Sequence, residues 1–200
     1  MAGLVCGLLI GGVPFAWLVH RAATGRDLRR EGSGNPGATN VERSAGWGWG
    51  LLALALEIGK GAGAVMVASR LAGADAAVPA ATGAVLGHVV SPWLGGRGGR
   101  GVAAAAGAFL VLAPWATLAA AGVFAVVVAA TRWVSLGSVA GAAALPLAAL
   151  AFGAAGRIVL AAAAVALLIA WRHRANFERM RAGTEPRVGV RGSAGGDRTP

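Results

Sequence analysis

The chain has little charge, little acid and almost no cysteine or lysine. Only 13% of its 200 residues are charged, with 8 Asp plus Glu against 18 Lys plus Arg. Cys6 is the single cysteine and lies in an apolar run, which excludes an internal disulfide and a thiolate metal cluster. His20, His88 and His173 show no metal-ligand spacing. Lys60 is the only lysine, so wherever a plain positive charge suffices this chain uses arginine, and the lone lysine stands out. A basic segment before the first apolar run is also missing. The start Met-Ala-Gly-Leu, with Arg21 directly after the run, is wrong for a cleaved signal peptide and reads as a first transmembrane helix.

Apolar sequence is what the chain has in quantity. A 56% hydrophobic content and a mean hydropathy of +0.67 exclude a soluble domain. A formal charge of +10 would suggest nucleic acid in a soluble chain. Here the arginines sit in loops and in the tail, so membrane topology and anionic headgroups or substrates account for them, and no nucleic-acid partner is expected. The reading is an all-α polytopic membrane protein. Residues 1–185 form the integral domain, and 186–200 a polar tail expected to be disordered.

Apolar helices are expected over 3–19, from Trp47 to Ser69, over 76–93, 138–155 and 157–171. The run 102–130 is ambiguous. As one helix it would reach about 43 Å, too long for one untilted crossing, and Pro114 sits near its middle. Unbroken, it gives six crossings and puts the arginine-rich tail on the same side as the N-terminus. Broken at Pro114, it gives about seven, with the N-terminus outside and the tail in the cytoplasm. The second arrangement collects fifteen arginines on the inner side and leaves Arg70 and Arg157 outside, which the positive-inside rule prefers. No repeat of the kind that marks transporters is present.

Two loops carry chemistry. In the first, Gly32, Gly34 and Gly37 permit torsions that let amide groups converge. Ser33, Asn35, Thr39 and Asn40 add neutral hydrogen-bonding groups, and Arg43 adds a charged fork. A loop with many donors and little bulk suits a phosphate; the same composition also describes a flexible linker. In the second, Gly95-Gly96-Arg97-Gly98-Gly99-Arg100-Gly101 runs straight into an apolar helix, which makes an anion cradle from two guanidinium groups and free amides. Between them Glu57 and Lys60 lie three apart inside an apolar helix, on one face. Charges there mark a functional site by default, the other readings being a structural ion pair or a lysine snorkelling to the headgroups. Gly59, Gly61 and Gly63 beside the lysine allow close approach of a backbone or ligand.

Together these segments resemble a known family. Asp27-Leu28-Arg29 followed by Gly-Ser-Gly-Asn-Pro-Gly-Ala-Thr-Asn-Val-Glu-Arg at 32–43 is similar to the first motif of the acyl-phosphate-dependent glycerol-3-phosphate acyltransferases, the PlsY family. Glu57-Ile58-Gly59-Lys60-Gly61 resembles that family's Asp-x-x-Lys-Gly element. Gly87-His88 with Arg97-Gly98-Gly99-Arg100-Gly101-Val102-Ala103 resembles its Gly-His and Lys-Gly-Gly-Lys-Gly-Val-Ala-Thr motif. Arg132-Trp133-Val134-Ser135-Leu136, then Arg172-His173-Arg174, Asn176 and Arg179, with Gly183 and Glu185 beyond, resemble the later connector and C-terminal box. The likeness runs in order from about residue 5 to 187. It departs where both lysines of the third motif are arginine, its threonine is Ala104, the aspartate of the second is Glu57, and the proline after Gly-His has moved to Pro92. Arginine keeps the charge but cannot exchange a proton as a tuned lysine does.

The resemblance implies transfer of a fatty acyl group from acyl phosphate to the 1-hydroxyl of glycerol 3-phosphate, without cofactor or metal, at the cytoplasmic side of a bacterial cell membrane. It implies catalytic roles for Ser33, Arg43, Arg100, Ser135, His173 and Asn176. Substrate-binding roles fall to Gly32, Gly34, Asn35, Gly37, Thr39, Asn40, Lys60, His88, Arg97, Gly98 and Gly99. The rival reading is a non-catalytic or transport protein that keeps the fold and an anion-binding vestibule.

Overall fold

A computed structural model describes residues 1–189. The last part of the expected disordered tail, 190–200, lies outside the described residues. The described residues form ten α-helices and three short 3₁₀ turns, with no strand among them. Helices α1 (Ala2–Gly12) and α2 (Phe15–Thr24) form one apolar span of 23 residues, longer at its end than the sequence pattern indicated. Pro14 breaks it, because proline has no N–H and forces Val13 into an extended backbone, φ −59° and ψ 121°.

A short surface helix, α3 (Ala38–Ala45), leads into α4 (Trp47–Ala72), the longest helix at 26 residues, and then α5 (Ala77–Val90) returns. Helix α6 (Val102–Leu112) is only 11 residues, roughly 16 Å, about half a hydrocarbon core. It ends at Ala113, and α7 (Pro114–Thr131) starts on the proline, so the long apolar run is divided at Pro114. Helices α8 (Val134–Ala151) and α9 (Gly156–Arg172) follow, and α10 (Arg174–Arg181) continues α9 after a 46° bend at His173. Among the described residues, five segments are long and apolar enough to cross a membrane, counting α1 and α2 together, and six if the bent pair counts as one.

Helix association rests on small residues, as expected where apolar lipid removes the hydrophobic drive between helices. Gly3, Gly7 and Gly11 recur every fourth residue along α1 and lie directly on the backbone of Ala76, Ala80 and Ala84, where any Cβ would collide. Gly61 of α4 packs as closely on α6 at Ala104, whereas Gly59 and Gly63 face open space. Helix α5 touches α1, α4, α6 and α9 and forms the centre of the bundle. Val85, Phe109, Leu145 and Ile169 then unite α5, α6, α8 and α9 in one core.

The proline break exposes backbone groups that lipid cannot satisfy. The polar residues inside the bundle satisfy them. Lys60 Nζ donates to Val13 O at 2.7 Å, Ser91 Oγ to Gly12 O at 2.7 Å, and Ala16 N–H to Glu57 Oε1 at 3.0 Å. Glu57 Oε2 is 2.6 Å from Lys60 Nζ and 3.0 Å from His88 Nδ1, all three residues being buried. The charges in α4 thus hold the broken first span to α4 and α5, which is the structural-pair reading.

Contacts gather the loops after α2, α5, α7 and α9 at one end of the bundle. Arg29 reaches Leu94 O, Arg172 reaches Gly98 O, and Val188 N–H donates to Arg132 O. At the other end Gly3 packs on Ala76, and Arg157 pairs with Asp75 at 2.6 Å.

Candidate functional site

The first loop is built from inside. Asp27 caps the 3₁₀ turn Leu28–Arg30 by accepting from Arg29 N–H at 3.0 Å. It also takes the Arg29 guanidinium at 2.7 Å and Trp17 Nε1–H at 2.9 Å. The hydrogen bonds from Arg29 hold the Asp27 carboxyl far below the usual carboxylate range. Asn40 is buried, and its amide is fully engaged in shaping the loop. Oδ1 accepts from Ser33 N–H, and Nδ2 donates to Leu28 O and Glu31 O. Gly32 and Gly34 take left-handed torsions, φ 54° and 68°, that reverse the chain over this core.

The second loop folds back onto the end of α5. Gly98 N–H donates to Val89 O and Gly99 N–H to His88 O, both at 3.1 Å. Arg172 clamps it from α9 by donating to Gly98 O at 3.0 Å and Gly99 O at 3.3 Å. A Cβ on Gly99 would strike His88 Nε2, so the histidine supports the loop from beneath.

The third component is the bend between α9 and α10. His173 Nδ1 donates to Ile169 O at 2.8 Å; since a carbonyl only accepts, this fixes the proton on Nδ1. Glu185, beyond α10, returns to the bundle and accepts three hydrogen bonds. These come from Ser135 Oγ at 2.7 Å, Asn176 Nδ2 at 2.6 Å and Arg179 Nε at 2.8 Å. Burial pushes its carboxyl up, but the donors Ser135 and Asn176 and the Arg179 charge pull it down further, so it stays ionised at neutral pH.

Between these components opens a cavity of about 650 Å³. Seven arginines line it: Arg29 and Arg30 from the first loop, Arg97 and Arg100 from the second, and Arg172, Arg174 and Arg179 from the third. Its one lining carboxylate is Asp27, which Arg29 already engages. Burial lowers the Arg100 guanidinium to about 10, with Glu185 opposing and Arg179, Arg43 and Arg172 adding to the shift. Arg100 therefore stays charged near neutrality. Such a lining is electrostatically suited to anions.

Of the residues singled out from the sequence, Ser33, Gly34, Asn35, Arg97, Gly98, Arg100 and Asn176 line this cavity. Ser135 and His173 are buried just behind it, through Glu185 and Ile169. Arg43 is exposed on α3 and close enough to Arg100 to shift it. Gly32, Gly37, Thr39, Asn40 and Gly99 belong to the loop walls without lining the cavity, and Lys60 and His88 lie deeper.

The expected convergence of free amides is only partly present. Ser33, Gly34, Gly37, Gly98 and Gly99 N–H groups all donate within the protein. Guanidinium groups dominate the lining instead. Sequence reasoning missed Arg29, Arg30, Arg172, Arg174 and Arg179 as lining residues; their clustering in the same inner loops was the available signal.

The chain resembles known membrane acyltransferases in sequence and fold. The family model described as "Glycerol-3-phosphate acyltransferase" matches residues 1–183. A glycerol-3-phosphate acyltransferase of a Synechococcus species is 43% identical over 192 residues, covering 96% of each chain. That of Geobacter sulfurreducens is 42% identical over 180 residues, covering 90% of this chain and 92% of its own. The crystal structure of PlsY, an integral membrane glycerol 3-phosphate acyltransferase, in its glycerol 3-phosphate form superposes with a TM-score of 0.87 at 32% identity, over 94% of both chains. Its lysophosphatidic acid form gives 0.84 at 30% identity, again over 94% of both.

Proposed function

The chain belongs to the glycerol-3-phosphate acyltransferase family, and from that premise we propose which substrates meet in the arginine-lined cavity and how they react. It is a membrane acyltransferase acting on glycerol 3-phosphate. The acyl donor is a fatty acyl phosphate. The observation that carries this is the cavity itself, in which seven arginines from two loops and the bend between α9 and α10 face one carboxylate that is already paired. One phosphate does not need so many cations; two phosphate-bearing substrates held side by side do.

The 1-hydroxyl oxygen of glycerol 3-phosphate attacks the carbonyl carbon of the acyl phosphate. The new ester C–O bond forms, the C–O bond to phosphate breaks, and inorganic phosphate departs with the bonding pair and takes up the hydroxyl proton. With so good a leaving group the protein needs to align two anions and stabilise developing charge, and guanidinium groups in a recessed cavity supply both. His173, whose ring is close enough to Arg100 to feel its charge, keeps Nε2 as an acceptor because Nδ1 is bonded to Ile169 O, and in this reading it orients the reacting hydroxyl.

In the membrane the chain crosses about seven times, with α6 and α7 as separate passes, the N-terminus outside and the cavity at the cytoplasmic face of a bacterial cell membrane. Supporting this, the loops that line the arginine-rich cavity gather at one end of the bundle, while Gly3 and the Arg157–Asp75 pair lie at the other. The test of the site is Arg100. Arg100→Ala should lower kcat/KM for glycerol 3-phosphate at least tenfold, whereas Arg100→Lys, which keeps the charge and installs the residue of the family motif, should keep most of it. Unchanged kinetics in Arg100→Ala would remove the cavity as the site of reaction.

A further inference from the structure

A second pocket, of about 480 Å³, opens beside the cavity at the inner end of the first span. Arg21, Arg26, Asp27, Arg30 and Glu31 line it, and Asp27 and Arg30 line the arginine-rich cavity as well. The two spaces therefore share a wall. The reaction given above leaves the second one unused.

Its charge is one-sided once the pairs are drawn. Asp27 accepts the Arg29 guanidinium through both carboxylate oxygens and Trp17 Nε1–H through one of them. Glu31 Oε2 meets the Nε2 of fully buried His20 at 3.0 Å, and its Oε1 lies 3.6 Å from Arg26. Arg21 and Arg30 are exposed and have no ion-pair partner among the described residues. Two guanidinium forks are thus left for an anion from outside the chain. Position says which anion. Helix α2 ends the first apolar span, and Arg21 follows Leu18 by three residues, on the same helical face. Leu18 is 43% exposed, so in a bilayer that face meets lipid. A guanidinium one turn inward of a lipid-facing leucine sits at the level of the headgroups.

We propose that this pocket binds the headgroup phosphate of an anionic phospholipid whose chains lie along α2, and that the bound lipid competes for Arg30 with the substrate phosphates in the cavity. The lipid site stands on the pocket and the span; only the competition rests on the functional reading given above. A phosphodiester offers two unbridged oxygens, which a guanidinium fork grips as a pair. A fork so engaged is not free for a second phosphate. Anionic lipid therefore draws Arg30 out of the cavity and raises KM for glycerol 3-phosphate. The enzyme thereby responds to the charge of the bilayer in which it sits.

The test has a binding arm and a kinetic arm. Purified protein in detergent is titrated with phosphatidylglycerol or phosphatidylcholine and read by native mass spectrometry. Wild type should retain phosphatidylglycerol about tenfold more tightly than phosphatidylcholine, and the double variant Arg21→Gln, Arg26→Gln should lose that preference. Both side chains are exposed, so the variant should fold; should it not, equal retention of the two lipids by wild type would itself overturn the site. Millimolar inorganic phosphate should not strip the lipid, because its chains hold it in the micelle. Displacement would make the pocket a site for free phosphate and overturn the lipid assignment. In vesicles, replacing part of the phosphatidylcholine by phosphatidylglycerol should raise KM for glycerol 3-phosphate about fivefold more in wild type than in the variant. Equal rises would mean surface charge alone and overturn the competition. Wild-type protein with no turnover in either membrane would overturn the functional reading and the competition with it, and lipid retention would then decide the site by itself.

Discussion

Glu185 and Arg43 show the two ways a charged residue serves this cavity. The Glu185 carboxyl titrates below its ordinary range because its hydrogen-bonding partners outweigh its burial. Its contribution to stability is therefore complete above the ordinary carboxylate range and is lost as pH falls through the depressed value. Thermal unfolding of wild type and Glu185→Gln in detergent should show a gap at pH 7 that narrows in acid; a gap independent of pH would contradict the pairing. Arg43 is exposed on α3 beside Arg100. As the family motif's arginine, it should contribute a charged contact to a substrate phosphate. Arg43→Ala should cost roughly ten- to a hundred-fold in kcat/KM for glycerol 3-phosphate with folding intact, and Arg43→Lys less. Unchanged kinetics for both substrates would make α3 a linker. Arg97 and Arg100 were legible in the sequence because glycine flanks them and an apolar helix follows. Asn40 and Glu185 were less so, since what a buried amide or carboxylate bonds to depends on chain that is distant in sequence.

At the scale of elements, the first span and α4 explain each other. Lys60 looked functional because charges in an apolar helix usually are, yet its ammonium satisfies Val13 O and pairs with Glu57. The clue was present as Pro14 inside an apolar run; which distant residue would answer it was not. Lys60→Met leaves Val13 O and a buried carboxylate short of partners and should destabilise the bundle by about 3–5 kcal/mol. A Tm in detergent within a degree of wild type would restore a role for Lys60 at the substrate. The α1–α5 seam behaves differently. Gly7 sits on the backbone of Ala80 and Ala84, so Gly7→Leu must push the helices apart. The variant should be recovered poorly and unfold early, and normal yield with an unchanged Tm would show that the seam is looser than drawn. The four-residue glycine spacing was visible in the sequence, but its partner helix was not.

For the whole molecule, hydropathy located nearly every span, because apolar length is a direct consequence of bilayer thickness. It handled 102–130 less well. Pro114 marked the break that ends α6, while the close backbone packing of α6 on α4 at Gly61 and Gly107 is something composition does not encode. The bundle brings loops that are far apart in sequence to one end, and only there do seven arginines become a cavity. A reporter fused after Arg181 should read as cytoplasmic and one at the N-terminus as external; the reverse would place the cavity on the wrong side of the membrane. In the proposed reaction this cavity joins an acyl phosphate to glycerol 3-phosphate. Purified protein given palmitoyl phosphate and glycerol 3-phosphate should release phosphate and form lysophosphatidic acid in equal amounts, and neither when glycerol 3-phosphate is left out. Turnover with palmitoyl-CoA but none with palmitoyl phosphate would contradict it.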